Sequence, residues 1–191
     1  MQPIVFVLGK PGCGKGTTCS YLSHHLPVQH FSAGDLLRQE VQNPRSLNAQ
    51  IILDDMKAGR IVKPEITVQL LREAMEAHPA AKAYIIDGFP RELEQLEFFK
   101  QQIDVERCFM LHLNCSDEEC FSRIHGRHSN RVDDNDQTIK NRLQNFADET
   151  LKVINLFKHQ GRLMEVNANA DKLEVCQNAF RVIQSLVGIR K

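Results

Sequence analysis

Short apolar runs alternate with longer amphipathic stretches along this chain of 191 residues. Ile4–Leu8 reads Ile-Val-Phe-Val-Leu, with no polar face, and predicts a strand buried on both sides. Similar runs predict strands at 28–31, Ala83–Asp87, 108–113 and 162–166. Between them, apolar positions recur at helical spacing over Lys15–His25, 34–41, 48–58, 65–77, 92–101, Asp117–His125, 135–159 and 171–186. Strands separated by helices predict an α/β fold, a five-stranded parallel sheet with helices on both faces. Residues 126–136 break the pattern. They carry Arg127, Arg131, Asp133 and Asp134 with almost nothing apolar to anchor them, and predict a mobile loop.

Composition narrows the possible partners. Lys+Arg and Asp+Glu both number 24, so there is no overall basic excess of the kind that coats nucleic acid, and any cationic site is local. Six cysteines at uneven spacing, without a Cys-x-x-Cys pair, predict free thiols rather than a disulfide framework or a zinc ribbon. The eight histidines are dispersed and form no ligand set by spacing. The N-terminal run resembles a strand rather than a leader, and no stretch approaches the ~18–20 apolar residues of a membrane span. The expected location is the cytosol, with an organellar copy left open.

Chemistry enters directly after the first strand. Gly9-Lys10-Pro11-Gly12-Cys13-Gly14-Lys15-Gly16-Thr17 has the spacing of a phosphate-binding loop that opens a helix. The glycines let backbone N–H groups point inward, and the helix contributes its positive end. Lys15 adds a mobile cation, and Thr17 stands where a hydroxyl can serve a bound Mg²⁺. Two further segments carry phosphate-binding groups. Ser32-Ala33-Gly34-Asp35-Leu36-Leu37-Arg38 puts an arginine one turn into a helix. Asp87-Gly88-Phe89-Pro90-Arg91 puts a carboxylate at a strand end, suited to holding Mg²⁺ through water, and an arginine four residues on. Arg38 and Arg91 together can hold one phosphate.

With these motifs in this order, the chain resembles the nucleoside monophosphate kinases, the family of adenylate kinases and UMP/CMP kinases. The resemblance spans essentially the whole chain. It also rests on Gly59-Arg60-Ile61-Val62, on Gln95, and on Arg123-Ile124-His125-Gly126-Arg127. Arg131-Val132-Asp133-Asp134 and Asn141-Arg142-Leu143 complete it. It implies a P-loop kinase three-layer fold in one domain, with a core of 1–31, 63–125 and 137–191. An acceptor-binding insertion would occupy 32–62 and a short lid 126–136, without the metal-binding cysteines of longer lids and hence without zinc.

By the same resemblance, ATP is held by Gly12, Cys13, Gly14, Lys15, Gly16 and Thr17, with Arg123 and Arg127. The acceptor is held by Ala33, Gly34, Arg38, Ile61, Val62, Gly88, Phe89, Arg91 and Gln95, with Arg131 and Arg142. Val62 lines the base pocket and Gln95 hydrogen-bonds the base. Lys15, Arg91, Arg127, Arg131 and Arg142 act on the transferring phosphoryl group, and Thr17 and Asp87 serve Mg²⁺. A monomer is implied.

The implied acceptor is divided. Ser32-Ala33 and Val41-Gln42-Asn43-Pro44 lean to the UMP/CMP branch, whereas Gln95 and Arg131-Val132-Asp133-Asp134-Asn135 lean to adenylate kinases. A Gln amide offers both a donor and an acceptor and pairs with either base class. The change at Ala33 is worth only about 1–3 kcal/mol of discrimination. UMP/CMP is the favoured reading and AMP the alternative. An unrelated small-molecule P-loop kinase would lack the Ser32–Arg38 and Gln95 set. A switch GTPase would show Asn-Lys-x-Asp, which is absent. A non-catalytic nucleotide-sensing module would have lost a key cation, yet all are present.

Overall fold

The computed structural model describes residues 2–103, 107–126 and 135–186. Five strands form one parallel sheet: β1 (Ile4–Leu8), β2 (Val28–Ser32), β3 (Ala83–Asp87), β4 (Cys108–Asn114) and β5 (Leu163–Asn167), in the order β2-β3-β1-β4-β5. Every residue of β1 and β3 is buried. Burial on both faces is why these strands lack polar alternation.

Alternation instead decides which face each side chain enters. Ile4, Phe6, Tyr84, Ile86 and Met110 face one apolar cluster, where Phe6, Phe89 and Phe99 pack at centroid distances of 5.3–5.9 Å. Val5, Val7, Ile85, Leu111 and Leu113 face the other. That second face is covered by α1 (Lys15–His25) and α9 (Lys172–Leu186). The first is covered by α4 (Pro64–Glu76), α5 (Leu93–Gln102) and α8 (Leu151–His159). The three-layer α/β expectation therefore holds.

Two helices, α2 (Ala33–Gln42) and α3 (Ala49–Ala58), form a smaller unit with its own apolar cluster of Leu37, Ile52, Met56, Val62 and Ile66. Capping residues set the helix starts. Ser32 accepts from the Asp35 N–H at 3.2 Å, and Ser116 accepts from the Glu119 N–H at the start of α6 (Asp117–His125). Asn135 does the same for α7 (Asp136–Asn145) through the Thr138 N–H.

The sequence predicts a single helix over 135–159. The observed run is α7, a π-helical turn over Phe146–Thr150, and then α8. Apolar periodicity does not report the widened turn, because its cause is tertiary. The turn buries Phe146 beside His112 and carries Thr150 onto the backbone of Arg91. Most of the segment expected as a mobile loop, 127–134, lies outside the described residues. No helix among the described residues is long and apolar enough to cross a membrane.

Candidate active site

β1 is central, and the chain runs to β2 and β3 on one side of it and to β4 on the other. The crevice at the strands' C-terminal ends is where such a sheet places a ligand. A cavity of about 320 Å³ lies there, walled by the Gly9–Thr17 loop, the starts of α1 and α2, the 59–62 segment, the end of β3 and α7.

The loop wall is shaped by three glycines with positive φ. Gly12 is at φ 87°, and a Cβ there would meet the Cys120 carbonyl oxygen at 2.4 Å. The loop thus rests directly on α6, and only glycine fits. Lys10 ties it to the same helix through Asp117 at 2.6 Å. Gly14, at φ 95°, starts α1, and no side chain caps that helix. Its first N–H groups remain directed at the cavity end. Lys15 Nζ donates to the carbonyls of Gly9 at 2.8 Å and Lys10 at 3.0 Å, so the ammonium lies across the loop. Gly16 and Thr17, in the first turn of α1, also line the cavity.

On the opposite wall, two arginines each fold back over a glycine. A Cβ on Gly34 would meet Arg38 Nη2 at 3.2 Å, and one on Gly88 would meet Arg91 Nη2 at 3.5 Å. Arg38 Nε donates to Asp35 Oδ1 at 3.2 Å, and its Nη2 bonds the same oxygen. Arg91 is fixed on several sides. Its Nε donates to the Gly88 carbonyl at 2.9 Å, its N–H donates to Gln95 Oε1 at 2.9 Å, and its carbonyl accepts from Thr150 Oγ1 at 2.8 Å. Gln95 Nε2 in turn donates to the Val62 carbonyl at 3.0 Å. This buried amide therefore ties the segment after β3 to the 59–62 segment within the same wall. Arg142, from α7, lines the same cavity.

Asp87 ends β3 inside this ring of cations. Burial raises its carboxyl above the ordinary range, while Lys15, His30 and Arg91 pull it back down. Its Oδ2 lies 3.7 Å from where a Cβ of Gly16 would be, so the carboxylate faces the first turn of α1, where Thr17 sits. Oxygen donors at the rim of a phosphate cradle suit a hydrated hard cation.

Most of the expected site residues thus share one cavity: Gly12, Gly14, Lys15, Gly16, Thr17, Ala33, Gly34, Arg38, Ile61, Val62, Asp87, Gly88, Arg91, Gln95 and Arg142. The side chains of Cys13 and Phe89 do not line it. Cys13 points into the cluster under α1 and Phe89 into the aromatic cluster, so both side chains belong to the core rather than to the cavity. Arg123 stands beside the loop rather than inside the cavity. Its guanidinium binds Glu119 at 2.7 Å and the carbonyls of Cys13 and Ala170 at 3.4 Å. Arg127 and Arg131 lie outside the described residues.

Sequence reasoning missed Met56 and Thr67, which line the acceptor wall, and Asp35, which holds Arg38. It also missed three side chains on one face of α7. Thr138 Oγ1, Asn141 Nδ2 and Asn145 Nδ2 donate to the carbonyls of Lys57, Ala58 and Gly59 at 2.6, 2.9 and 2.7 Å. They cap the end of α3 from another helix. Their spacing of three and four residues was visible, but the partner carbonyls were not.

A family model described as adenylate kinase matches residues 7–162. "Probable UMP-CMP kinase 1" of Arabidopsis thaliana is 43% identical over 180 residues, covering 94% of this chain and 87% of its own. "UMP-CMP kinase 2" of Oryza sativa subsp. japonica is 39% identical over 183 residues, covering 96% and 74%. "UMP-CMP kinase" of Sus scrofa is 36% identical over 191 residues, covering 95% and 97%.

Proposed function

The chain belongs to the adenylate kinase family, and on that premise we propose that it transfers the γ-phosphoryl group of Mg·ATP reversibly to UMP or CMP. The observation that carries this is the pairing of walls. A phosphate loop with Lys15 faces Arg38 and Arg91 across one cavity, so a donor phosphate and an acceptor phosphate meet there.

ATP phosphates sit in the loop of Gly12–Thr17, held by backbone N–H groups and Lys15. The base end lies by Arg123, near the Ala170 carbonyl it already holds. The acceptor monophosphate lies between Arg38 and Arg91, over Gly34 and Gly88, where no Cβ intervenes. Its base enters the pocket of Ala33, Met56, Val62 and Thr67. An acceptor phosphate oxygen bonds to the γ-phosphorus as the bridging oxygen of ADP leaves in line. Lys15, Arg91 and Arg142 neutralise charge on the equatorial oxygens, with Arg127 and Arg131 added by family resemblance. Thr17, and Asp87 through water, would hold Mg²⁺, which would supply positive charge to the donor's phosphate oxygens. By family resemblance, residues 32–62 are the acceptor-binding insertion, and 126–136, most of which lies outside the described residues, the lid.

The relatives' names favour UMP and CMP. Gln95 is the cue for AMP, but both ends of its amide already hold Arg91 and Val62. It retains one N–H and one lone pair for a base. The test is ADP formation with UMP, CMP or AMP added singly. UMP and CMP are expected to support it. An AMP preference above about a hundredfold in kcat/KM would refute the pyrimidine assignment, and ADP formation independent of any monophosphate would refute the kinase reading.

A further inference from the structure

One polar cluster lies behind the phosphate cavity, on the side of the sheet covered by α1. The parallel register pairs His30 with Ile85 and Ser32 with Asp87. His30 and Asp87 are therefore diagonal neighbours on the same face, two residues apart in register. Cys19, one turn after Lys15, descends from α1 onto that face and is fully buried. The three ligating atoms all lie within 4.8 Å of one another, with His30 Nε2 at 4.0 Å from Asp87 Oδ2. His30 Nε2 is buried without a hydrogen-bond partner. A buried orphan nitrogen aimed at a thiol and a carboxylate needs an explanation.

We propose that Cys19, His30 and Asp87 form a binding site for one thiophilic divalent cation of the zinc or cadmium class. Thiolate, imidazole and carboxylate are donors such an ion accepts together, and three protein ligands leave a fourth position for water. Ordinary zinc bond lengths set the ligand atoms roughly 3.5 Å apart. The observed separations, at most 4.8 Å, must shorten by about 1 Å for the three atoms to share one ion. The ion replaces the Sγ proton, which passes to solvent, so the thiol becomes a thiolate without any redox step. This is not the hydrated magnesium position. Magnesium takes Asp87 from the cavity side through water, whereas sulfur and nitrogen donors reject so hard an ion. Sharing Asp87 makes the two uses exclusive. A thiophilic ion withdraws this carboxylate from phosphoryl transfer and joins α1 to β2 and β3. Spacing along the chain could not reveal this set, since its members come from three separate elements.

The test uses the full chain without nucleotide, titrated with Co²⁺ alone as a spectroscopic probe. One equivalent is expected to bind, with a thiolate-to-cobalt charge-transfer band in the near ultraviolet. Cys19→Ser abolishes the band, and His30→Gln weakens cobalt binding by about tenfold or more. His30→Gln retains magnesium-supported turnover, and its inhibition by Cd²⁺ requires about tenfold more metal than the parent's. Should Cys19→Ser fail to fold, the His30→Gln titration decides alone. Absence of a thiolate band, a band that survives Cys19→Ser, or unchanged cobalt affinity in His30→Gln overturns the site. The band needs no catalysis, so its failure is separable from failure of the kinase assignment.

Discussion

Replacing Gln95 by leucine tests whether this residue reads a base or holds the pocket together. Its side chain is only 3% exposed, and it accepts from the Arg91 N–H at 2.9 Å and donates to the Val62 carbonyl at 3.0 Å. Leucine has similar bulk and neither polar atom. The change strands a backbone donor and a backbone acceptor, each costing about 1–3 kcal/mol when buried. A mid-range loss of about 4 kcal/mol lowers Tm by roughly 8–16 °C in a chain of this size. Arg91 and Val62 belong to the acceptor wall, so the acceptor's KM rises about tenfold or more while that of ATP stays within about twofold. Gln95→Asn, one methylene shorter, keeps one bond and falls between. Thermal unfolding and initial rates with each substrate varied in turn measure both effects. A Tm within about 1 °C of the parent, with only the choice of base altered, would refute the bridging role and return Gln95 to direct base recognition.

Three further outcomes are expected. Gly12→Ala drives a methyl group into the Cys120 carbonyl at 2.4 Å, so kcat/KM for ATP falls roughly a hundredfold, whereas Gly161→Ala, with φ 66° and nothing within 4 Å, costs only about 1–2 kcal/mol in an unfolding titration. Thr138→Val combined with Asn145→Ala removes two caps from the end of α3, costs about 2 kcal/mol in denaturant unfolding, and raises the acceptor's KM more than that of ATP. Burial lowers His112 and His30 below their ordinary 6.5, so the unfolded chain takes up protons first as pH falls through that value. The stability held by the neutral rings is therefore complete above 6.5 and is lost as pH drops toward their folded values. His112→Phe flattens that acid limb in urea midpoints measured from about pH 7.5 to 5.5, leaving the His30 share, and an unchanged limb would contradict it.

The phosphate loop was legible because its chemistry is local. A strand, a glycine-spaced turn and a lysine at the helix start all lie within fourteen residues, Ile4 to Thr17. Arg38 and Arg91 were legible for a similar reason, since each lies within four residues of the glycine it folds over. What stayed hidden depends on parts of the chain meeting. Gln95 reaches Val62 across 33 positions, and Thr138 reaches Lys57 across 81. Phe89 illustrates the converse. It sits inside a functional motif, yet Phe6 and Phe99 claim its ring for the core. Motif membership marks a backbone position and leaves the side chain's destination to packing.

The π-helical turn at Phe146–Thr150 also fixes an angle. Upstream, Thr138, Asn141 and Asn145 point at α3; downstream, Val153, Ile154 and Phe157 point at the sheet. The extra residue is what sets the azimuth between these two commitments. Winding the same five residues as regular α-helix, with none removed, would rotate everything beyond them by roughly a quarter turn relative to α7. Either the α3 caps or the core face would then have to turn away. Along this stretch the widened turn and the number of residues are matched, so an added residue is expected to be more damaging than any single replacement within the same five positions.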